Sequence, residues 1–444
     1  MNLLVSSSLA LRGDVDLEIP GDKSISHRAA LFSALAEGKS TIERFQVSGV
    51  TRPMLQALIA MNVDWKLDGD TLIVNGRGFT GLQVPSLPID CGNSATTLRL
   101  LTGAIAAAGL PAILQGSTGL NSRPMGRIIE PLQKMGVEIQ ASPAGTAPLK
   151  IERRSSQNPL LPLEYSLPVA SAQVKSCLLL AALGSKGKSR IDEPGLSRDH
   201  SERMLRGMGV DVRSSFASGK ASVEIVPPDP LRLQPLNLTI PGDPSAAAFL
   251  IVAALITPNS EITLRHICLN PTRTGLIEVL LAMGGEISIH SECMEGDEPC
   301  GDLVVRSSQL YGTQVDGDLV VRMIDEFPIF AIAAAAADGP STVHDASELR
   351  VKESDRIGRL AAELRILGVQ IEEYPDGFRI EGGSIRGGTV SAYGDHRLAM
   401  SLAIAGLISS SPVCVQGSQC SDESFPGFMR LLHRLGASVV EEAT

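Results

Sequence analysis

Aromatic side chains are scarce in this chain: one Trp, four Tyr and ten Phe amount to 3% of 444 residues. That scarcity argues against broad aromatic binding surfaces and favours closely packed helices of small side chains. Positive charge is also short. Thirty-nine Lys and Arg face 49 Asp and Glu, and the net charge of −10 argues against a general nucleic-acid binder. No apolar run is long. The longest, Ala246–Ile256, falls far short of a bilayer span, so no membrane association is expected. The N-terminus has no basic stretch leading into an apolar core, so no export is expected and the location implied is cytoplasmic. Seven cysteines (91, 177, 268, 293, 300, 414 and 420) are odd in number, scattered, and without the short paired spacing of a zinc site. Most are expected to be buried thiols of a reducing compartment.

What the chain does have is repetition. A polar loop runs into an almost uninterrupted Ala-rich apolar helix at Gly21–Ala36, Gly92–Ala108, Ala170–Leu183, Gly242–Ile256, Asp325–Ala337 and Gly394–Ile408. Such helices, apolar on nearly every face, must be buried all round. An amphipathic helix follows each one, around Thr51–Val63, Arg123–Val137, Arg198–Val210, Thr272–Gly285, Ser354–Val369 and Phe425–Ala437. These end in Met or Leu followed by Gly, or by Asn at Met61-Asn62, at a period of roughly 70–85 residues. Alternating stretches such as Ser40–Phe45, Val63–Leu67, Thr71–Val74 and Ala221–Val226 read as strands. At this length two domains or an internal repeat are expected.

The stretch Ile19–Arg28 (Ile-Pro-Gly-Asp-Lys-Ser-Ile-Ser-His-Arg) organises the whole. Its Ile-Pro-Gly-Asp turn, preceded by an extended Asp16–Ile19, returns at Ile240–Asp243 with Pro244 where Lys23 stands. Three units lie between these marks and three after. The expected class is therefore α/β (an α+β repeat) in two similar domains of three units each, buried helices wrapped by mixed sheets and amphipathic helices. The expected boundaries are 20–240 for the first domain and 1–19 plus 241–444 for the second. An N-terminal strand within Leu9–Ile19 is expected to pair in the second domain.

Polar residues gather at the buried-helix starts. They include Lys23, Ser24 and Arg28, Asn93–Arg99 with Arg123, Ser171–Lys175 with Arg198, Asp325-Glu326, Arg350–Arg356, and Asp395-His396-Arg397. Eight cations (Lys23, Arg28, Arg99, Arg123, Arg198, Lys352, Arg356 and Arg397) exceed what one carboxylate needs. Arg forks suit phosphate and carboxylate, so the expected ligands are two polyanionic small molecules, at least one phosphorylated. Asp325 and Glu353, kept ionised among these cations, are candidate acid/base groups. The bland readings are Asp325 as a helix cap, Glu353 and Arg356 as a surface pair, Cys91 as a bystander thiol, and His200 and His433 as structural or exposed.

Five segments together resemble the 5-enolpyruvylshikimate-3-phosphate synthase family. They are Pro20–Arg28, Arg123–Arg127, Ser171–Ser176, Leu349–Arg356 and Asp395–Met400, and the similarity runs from about Leu9 to the C-terminus. The resemblance implies the enolpyruvyl transferase fold, an inside-out α/β barrel of two three-unit domains. It implies transfer of the enolpyruvyl group of phosphoenolpyruvate to the 5-hydroxyl of shikimate 3-phosphate, with no metal or organic cofactor. A monomer is the expected state, since a site between two domains of one chain needs no partner. By carry-over Asp325, Glu353 and Lys23 are catalytic. Shikimate 3-phosphate falls to Lys23, Ser24, Arg28, Ser171, Ala172, Gln173, Arg198, Asp325 and Lys352. Phosphoenolpyruvate falls to Lys23, Asn93, Ala95, Thr96, Arg123, Gln173, Arg356, His396 and Arg397.

Three positions depart from common family patterns: Ala95 where many members have Gly, Glu348 where some have Asn, and Glu423 in place of a Lys two residues before Phe-Pro. The first two resemble the class II subgroup, and the Ala95 methyl implies reduced sensitivity to glyphosate. The sister enzyme acting on UDP-N-acetylglucosamine is the nearest alternative. Its usual loop Cys or Asp is missing from Gly116–Ser122, and Lys23-Ser24 replaces its usual Lys-Asn. A P-loop fails because its first Gly is missing at the required spacing. A non-catalytic repeat scaffold would explain the period but not the gathered charges.

Overall fold

The computed structural model describes residues 1–155 and 157–442. Six helices form where the Ala-rich runs stand: α1 (Lys23–Leu35), α2 (Ala95–Ala108), α3 (Ala172–Ala182), α4 (Pro244–Ile256), α5 (Phe327–Ala336) and α6 (His396–Ala405). Apart from a few polar residues near their starts they are largely apolar, and their side chains are buried almost throughout; in α4 every residue but Ile256 is buried. Five start on a side chain that accepts a backbone N–H of the first turn: Asp22, Ser94, Ser171, Asp243 and Asp395. Each such cap satisfies a donor that burial would otherwise leave unpaired, worth about 1 kcal/mol. At α5 the cap residue is Glu326, whose carboxylate makes no cap bond.

The amphipathic helices form as well, Arg52–Ala60, Gly126–Lys134, His200–Gly207, Gly275–Ala282, Arg356–Ile366 and Phe428–Arg434. Each is followed by a left-handed residue: Asn62, Gly136, Gly209, Gly284, Gly368 and Gly436, all at φ between 63° and 107°. Glycine adopts that conformation without a Cβ clash, and Asn tolerates it.

The strands form six four-stranded sheets among the described residues. Ile89–Asp90 is typical. It pairs parallel with Ala112–Gln115, across α2, and that strand pairs antiparallel with Leu149–Ile151, which pairs antiparallel with Ile139–Gln140. Parallel neighbours need a crossover, and here the buried helix supplies it.

Two sheets fill that pattern out of chain order. The strand that precedes α1, β2 (Arg12–Val15), pairs with Glu261–Cys268, whereas the strand preceding α4, Asn237–Thr239, pairs with Glu37–Glu43. The sixth sheet is completed from the other end of the chain: β1 (Asn2–Ser6) lies between Val413–Gln416 and Ser438–Glu442. The strand expected within Leu9–Ile19 forms as Arg12–Val15, and a further strand, Asn2–Ser6, precedes it. Leu9 and Leu17 are 91% and 71% exposed, because they face water in the connections. Asp16–Ile19 is a turn, not an extended approach: the Ile19 N–H donates to the Asp16 carbonyl at 3.4 Å.

Contact density divides the chain into two units: residues 1–20, 241–294 and 299–444, and residues 21–240 with 295–298. Each contains three buried helices. In the first, one continuous apolar core joins α4, α5 and α6 with Leu3, Val5 and Val15 from the N-terminal strands. At the mark between the units Gly21 has no substitute. A Cβ there would lie 2.0 Å from the Arg44 carbonyl oxygen.

Five cysteines are free, three of them buried (Cys91, Cys177 and Cys268). Cys293 and Cys300 are joined as a disulfide, contrary to expectation for that pair. Their separation of seven residues is bridged because they sit on adjacent strands of one sheet. Among the described residues no helix is long and apolar enough to cross a membrane.

Candidate active site

In residues 21–240 the starts of α1, α2 and α3 meet through side chains. Ser24 Oγ accepts from Arg198 Nη1 at 3.1 Å. Arg28 is 2% exposed and donates from Nε to Ser201 Oγ and from Nη2 to Ser176 Oγ, both at 2.8 Å, and from Nη1 to the Ser24 carbonyl at 3.0 Å. Burial lowers its pKa to about 10, with the charge of Arg198 adding to the effect and Glu202 opposing it. Gln173 spans the next gap. Its Oε1 accepts from Arg99 Nη1 at 2.6 Å and its Nε2 donates to Thr96 Oγ1 at 2.9 Å. Asn93 accepts from Ser117 Oγ at 3.1 Å, which ties the α2 start to the loop that leads into Arg123. Lys23, Ser24, Thr96, Arg123, Ser171, Ala172, Gln173 and Arg198 are all half-buried, Ala95 is buried and Asn93 exposed. A group of helix N-termini with half-open cations is suited to anions.

Beneath this surface lies a charged layer that the sequence did not reveal as a unit. Lys175 Nζ lies 2.6 Å from Glu193 and 2.8 Å from Glu202, all three side chains at most 3% exposed. Burial disfavours the Lys175 charge, but the two carboxylates outweigh it and raise its pKa. Burial raises that of Glu202, against the pull of Lys175. Ser197 Oγ donates to both Glu193 oxygens at 2.9 and 2.7 Å, so the triad fixes the loop that presents Arg198. His200 is structural rather than exposed: it is fully buried with Nδ1 2.7 Å from Glu298 Oε1. Glu298 stands 98 residues away in sequence, and no local signal points to it.

His27, on the buried face of α1, sits 2.8 Å from the carbonyls of Lys23 and Val50 and 3.1 Å from Ser94 Oγ. Burial lowers its pKa to about 4. Burial also pushes the Cys91 thiol up to about 12, which leaves it a protonated bystander rather than a nucleophile.

In the other unit the starts of α4, α5 and α6 gather carboxylates together with cations. Asp325 has three cations around it: Arg356 Nη1 at 3.4 Å, Lys352 Nζ at 3.6 Å and Arg397 Nη2 at 3.6 Å. It is not a helix cap, since Glu326 holds that position. Glu353, its side chain 29% exposed, accepts from Arg356 Nη2 at 2.8 Å. Arg356 is 1% exposed, so the pair is no surface ornament. Its Nε donates to the fully buried Asp395 at 2.9 Å. Burial works against the charge on Arg356, but Asp395, Glu353 and Asp325 together raise its pKa well above the ordinary range.

Glu326 anchors the same region. It accepts from Ser245 Oγ and lies 3.8 Å from Arg397 Nη1, while Arg273 donates to Asp243 at 3.0 Å and to Ser245 at 2.9 Å. Asp395 and Glu326 were noted at helix starts without an assigned role, and Arg273 was not noted. The only sequence signal of the first two was position at a helix start. His396, 4% exposed, opens α6 beside Arg397. Glu348 falls in a short 3-10 segment, Ser347–Val351, and Glu423 ends another, Ser418–Glu423.

Residues 5–432 match the family model for EPSP synthase (3-phosphoshikimate 1-carboxyvinyltransferase). A protein of that name from Geobacter metallireducens is 44% identical over 435 residues, covering 98% of this chain and 99% of its own. One from Syntrophomonas wolfei is 44% identical over 437 residues, covering 98% of this chain and all of its own. Among solved structures, an EPSP synthase from Acinetobacter baumannii superposes with a TM-score of 0.87 at 38% identity, covering 99% of both chains. The chain belongs to the EPSP synthase (3-phosphoshikimate 1-carboxyvinyltransferase) family.

Proposed function

We infer that this chain carries out its family's reaction, transferring the enolpyruvyl group of phosphoenolpyruvate to the 5-hydroxyl of shikimate 3-phosphate and releasing phosphate. The observation that carries the residue-level reading is the ring of Lys352, Arg356 and Arg397 around Asp325. A carboxylate so placed stays ready to accept a hydroxyl proton while the same cations hold anionic substrate.

The chemistry is addition followed by elimination. Protonation of the phosphoenolpyruvate methylene makes C2 electrophilic. The hydroxyl attacks C2 as it loses its proton, giving a tetrahedral ketal phosphate. Loss of a methyl proton and of phosphate then restores the double bond. Asp325 is assigned the hydroxyl proton and Glu353 the methylene proton. Lys23 is assigned to stabilise the departing phosphate oxygen.

Ser24, Arg28, Ser171, Ala172, Gln173, Arg198 and Lys352 are assigned to shikimate 3-phosphate. Asn93, Ala95, Thr96, Arg123, Gln173, Arg356, His396 and Arg397 are assigned to phosphoenolpyruvate. Arg28 spends most of its donors on protein oxygens, so its share is to hold Ser24 and Ala172 in place as well as to supply charge. A monomer in the cytoplasm needing no cofactor completes the proposal. Phosphate release from phosphoenolpyruvate tests it, with shikimate 3-phosphate or UDP-N-acetylglucosamine as acceptor. Release with the first supports the assignment, and release only with the second overturns it.

A further inference from the structure

Three donors that the chemistry above does not use come together on one sheet. His266 lies on the strand Glu261–Cys268, Cys300 on Glu298–Arg306 and Cys293 on Glu286–Glu295, and these three strands are neighbours. One ligand atom from each lies within 4.8 Å of the other two, with Cys293 Sγ 4.0 Å from His266 Nδ1. A bulge brings the imidazole there. The pairing register shifts between Leu264 and Ile267, and His266 takes a left-handed φ of 55°. The backbone N–H of His266 donates to Asp302 Oδ1 at 2.9 Å. Bulges of this kind re-aim side chains, and a left-handed non-glycine residue is uncommon. Cys300 is buried, while Cys293 and His266 are half-buried, so the cluster is within reach of solvent.

Two thiolates and a neutral imidazole, with a fourth position open, form a donor set for a soft divalent cation. The group contains no carboxylate, which disfavours calcium and magnesium. We propose that the reduced protein binds one thiophilic divalent cation, zinc by preference, through His266, Cys293 and Cys300. The disulfide and the metal site exclude each other. A small dithiol reduces the Cys293–Cys300 bond, giving two electrons and two protons and leaving as its own disulfide. The two protein thiols then release two protons as two metal–sulfur bonds form. Where thiols are kept reduced, the metal-binding state is the accessible one.

Cobalt titration of the full chain tests this, after reduction and anaerobic removal of the reductant. One cobalt per chain is expected. A thiolate-to-cobalt charge-transfer band and four-coordinate ligand-field bands should appear, and zinc should abolish both. The oxidised protein should show neither. C293S and C300S are each expected to weaken the charge-transfer band, the double variant C293S/C300S to lose it, and H266A to weaken binding. Circular dichroism and turnover with phosphoenolpyruvate and shikimate 3-phosphate report that the variants remain folded. No band in the reduced protein at excess cobalt would overturn the proposal. So would a band that survives in the double variant C293S/C300S, or affinity unchanged in H266A.

Discussion

Arg356 and Asp395 share two hydrogen bonds shielded from water: Nε to Oδ2 at 2.9 Å and Nη2 to Oδ1 at 3.3 Å, with side chains 1% and 0% exposed. Burial would raise the Asp395 pKa, but the charge and hydrogen bonds of Arg356 outweigh it and the carboxyl is held below its usual range. Asp395 also caps α6, accepting from the Arg397 N–H at 3.0 Å. One buried pair therefore sets the position of both phosphoenolpyruvate-assigned arginines. Arg356→Met leaves that carboxylate buried without its counter-charge, at a cost of about 3–5 kcal/mol. Urea denaturation at neutral pH is the check, and an unchanged midpoint would show that the pair does not contribute to stability.

Asp325→Ala removes the proposed base and leaves Lys352, Arg356 and Arg397 in place. Binding of shikimate 3-phosphate by calorimetry is expected to persist, while kcat falls by roughly 10²–10⁴-fold, the usual share of a positioned acid/base group. Undiminished kcat would take Asp325 out of the proton chemistry.

Lys175 is the shared counter-charge of Glu193 and Glu202 at a depth that water does not reach. Lys175→Met should cost about 3–5 kcal/mol. Because Ser197 hangs from Glu193, it should also raise KM for shikimate 3-phosphate more than it lowers kcat. An equal loss in both parameters would contradict the view that the triad acts by positioning the Arg198 loop.

His27 gives the fold a defined acid weakness. Its folded pKa of about 4 lies below the ordinary 6.5, so neutral His27 favours the folded state. That contribution is complete above pH 6.5 and is lost as pH falls toward 4. At 1.36 kcal/mol per unit, the loss approaches roughly 3 kcal/mol. The stability difference between wild type and His27→Gln, measured by urea at pH 7 and pH 4.5, should shrink at the lower pH. A difference constant across that range would contradict the assignment.

Ala95 is the first residue of α2, 7% exposed, in the loop assigned to phosphoenolpyruvate. Following the family resemblance, its methyl group should crowd glyphosate more than the shorter substrate. Ala95→Gly is expected to lower the glyphosate inhibition constant while changing KM for phosphoenolpyruvate less. Equal constants in the two proteins would remove the methyl from this role.

Periodicity made the fold legible. Apolar runs uninterrupted on every face, and Met/Leu-Gly ends every 70–85 residues, located all twelve principal helices to within a few residues. They did so because burial and left-handed caps are local demands. Asn2–Ser6 escaped notice because it is paired only with strands more than 400 residues away. Among site residues, those at helix starts stood out, Glu326 and Asp395 with them but without a role, while Glu193 did not. A buried carboxylate is indistinguishable in sequence from an exposed one until its partner is known. The His266, Cys293 and Cys300 cluster was hidden for the same reason, since strand pairing and a bulge assemble it.

The exchanged edge strands bear on the order in which the chain is made. Every strand of the sheets around α1, α2 and α3 lies between residues 37 and 239, so these three sheets can close before the ribosome has finished the chain. By contrast, Arg12–Val15 finds its partner at Glu261–Cys268, and Asn2–Ser6 finds its partners at Val413–Gln416 and Ser438–Glu442. Asn2–Ser6 must therefore wait, unpaired, for strands made more than 400 residues later.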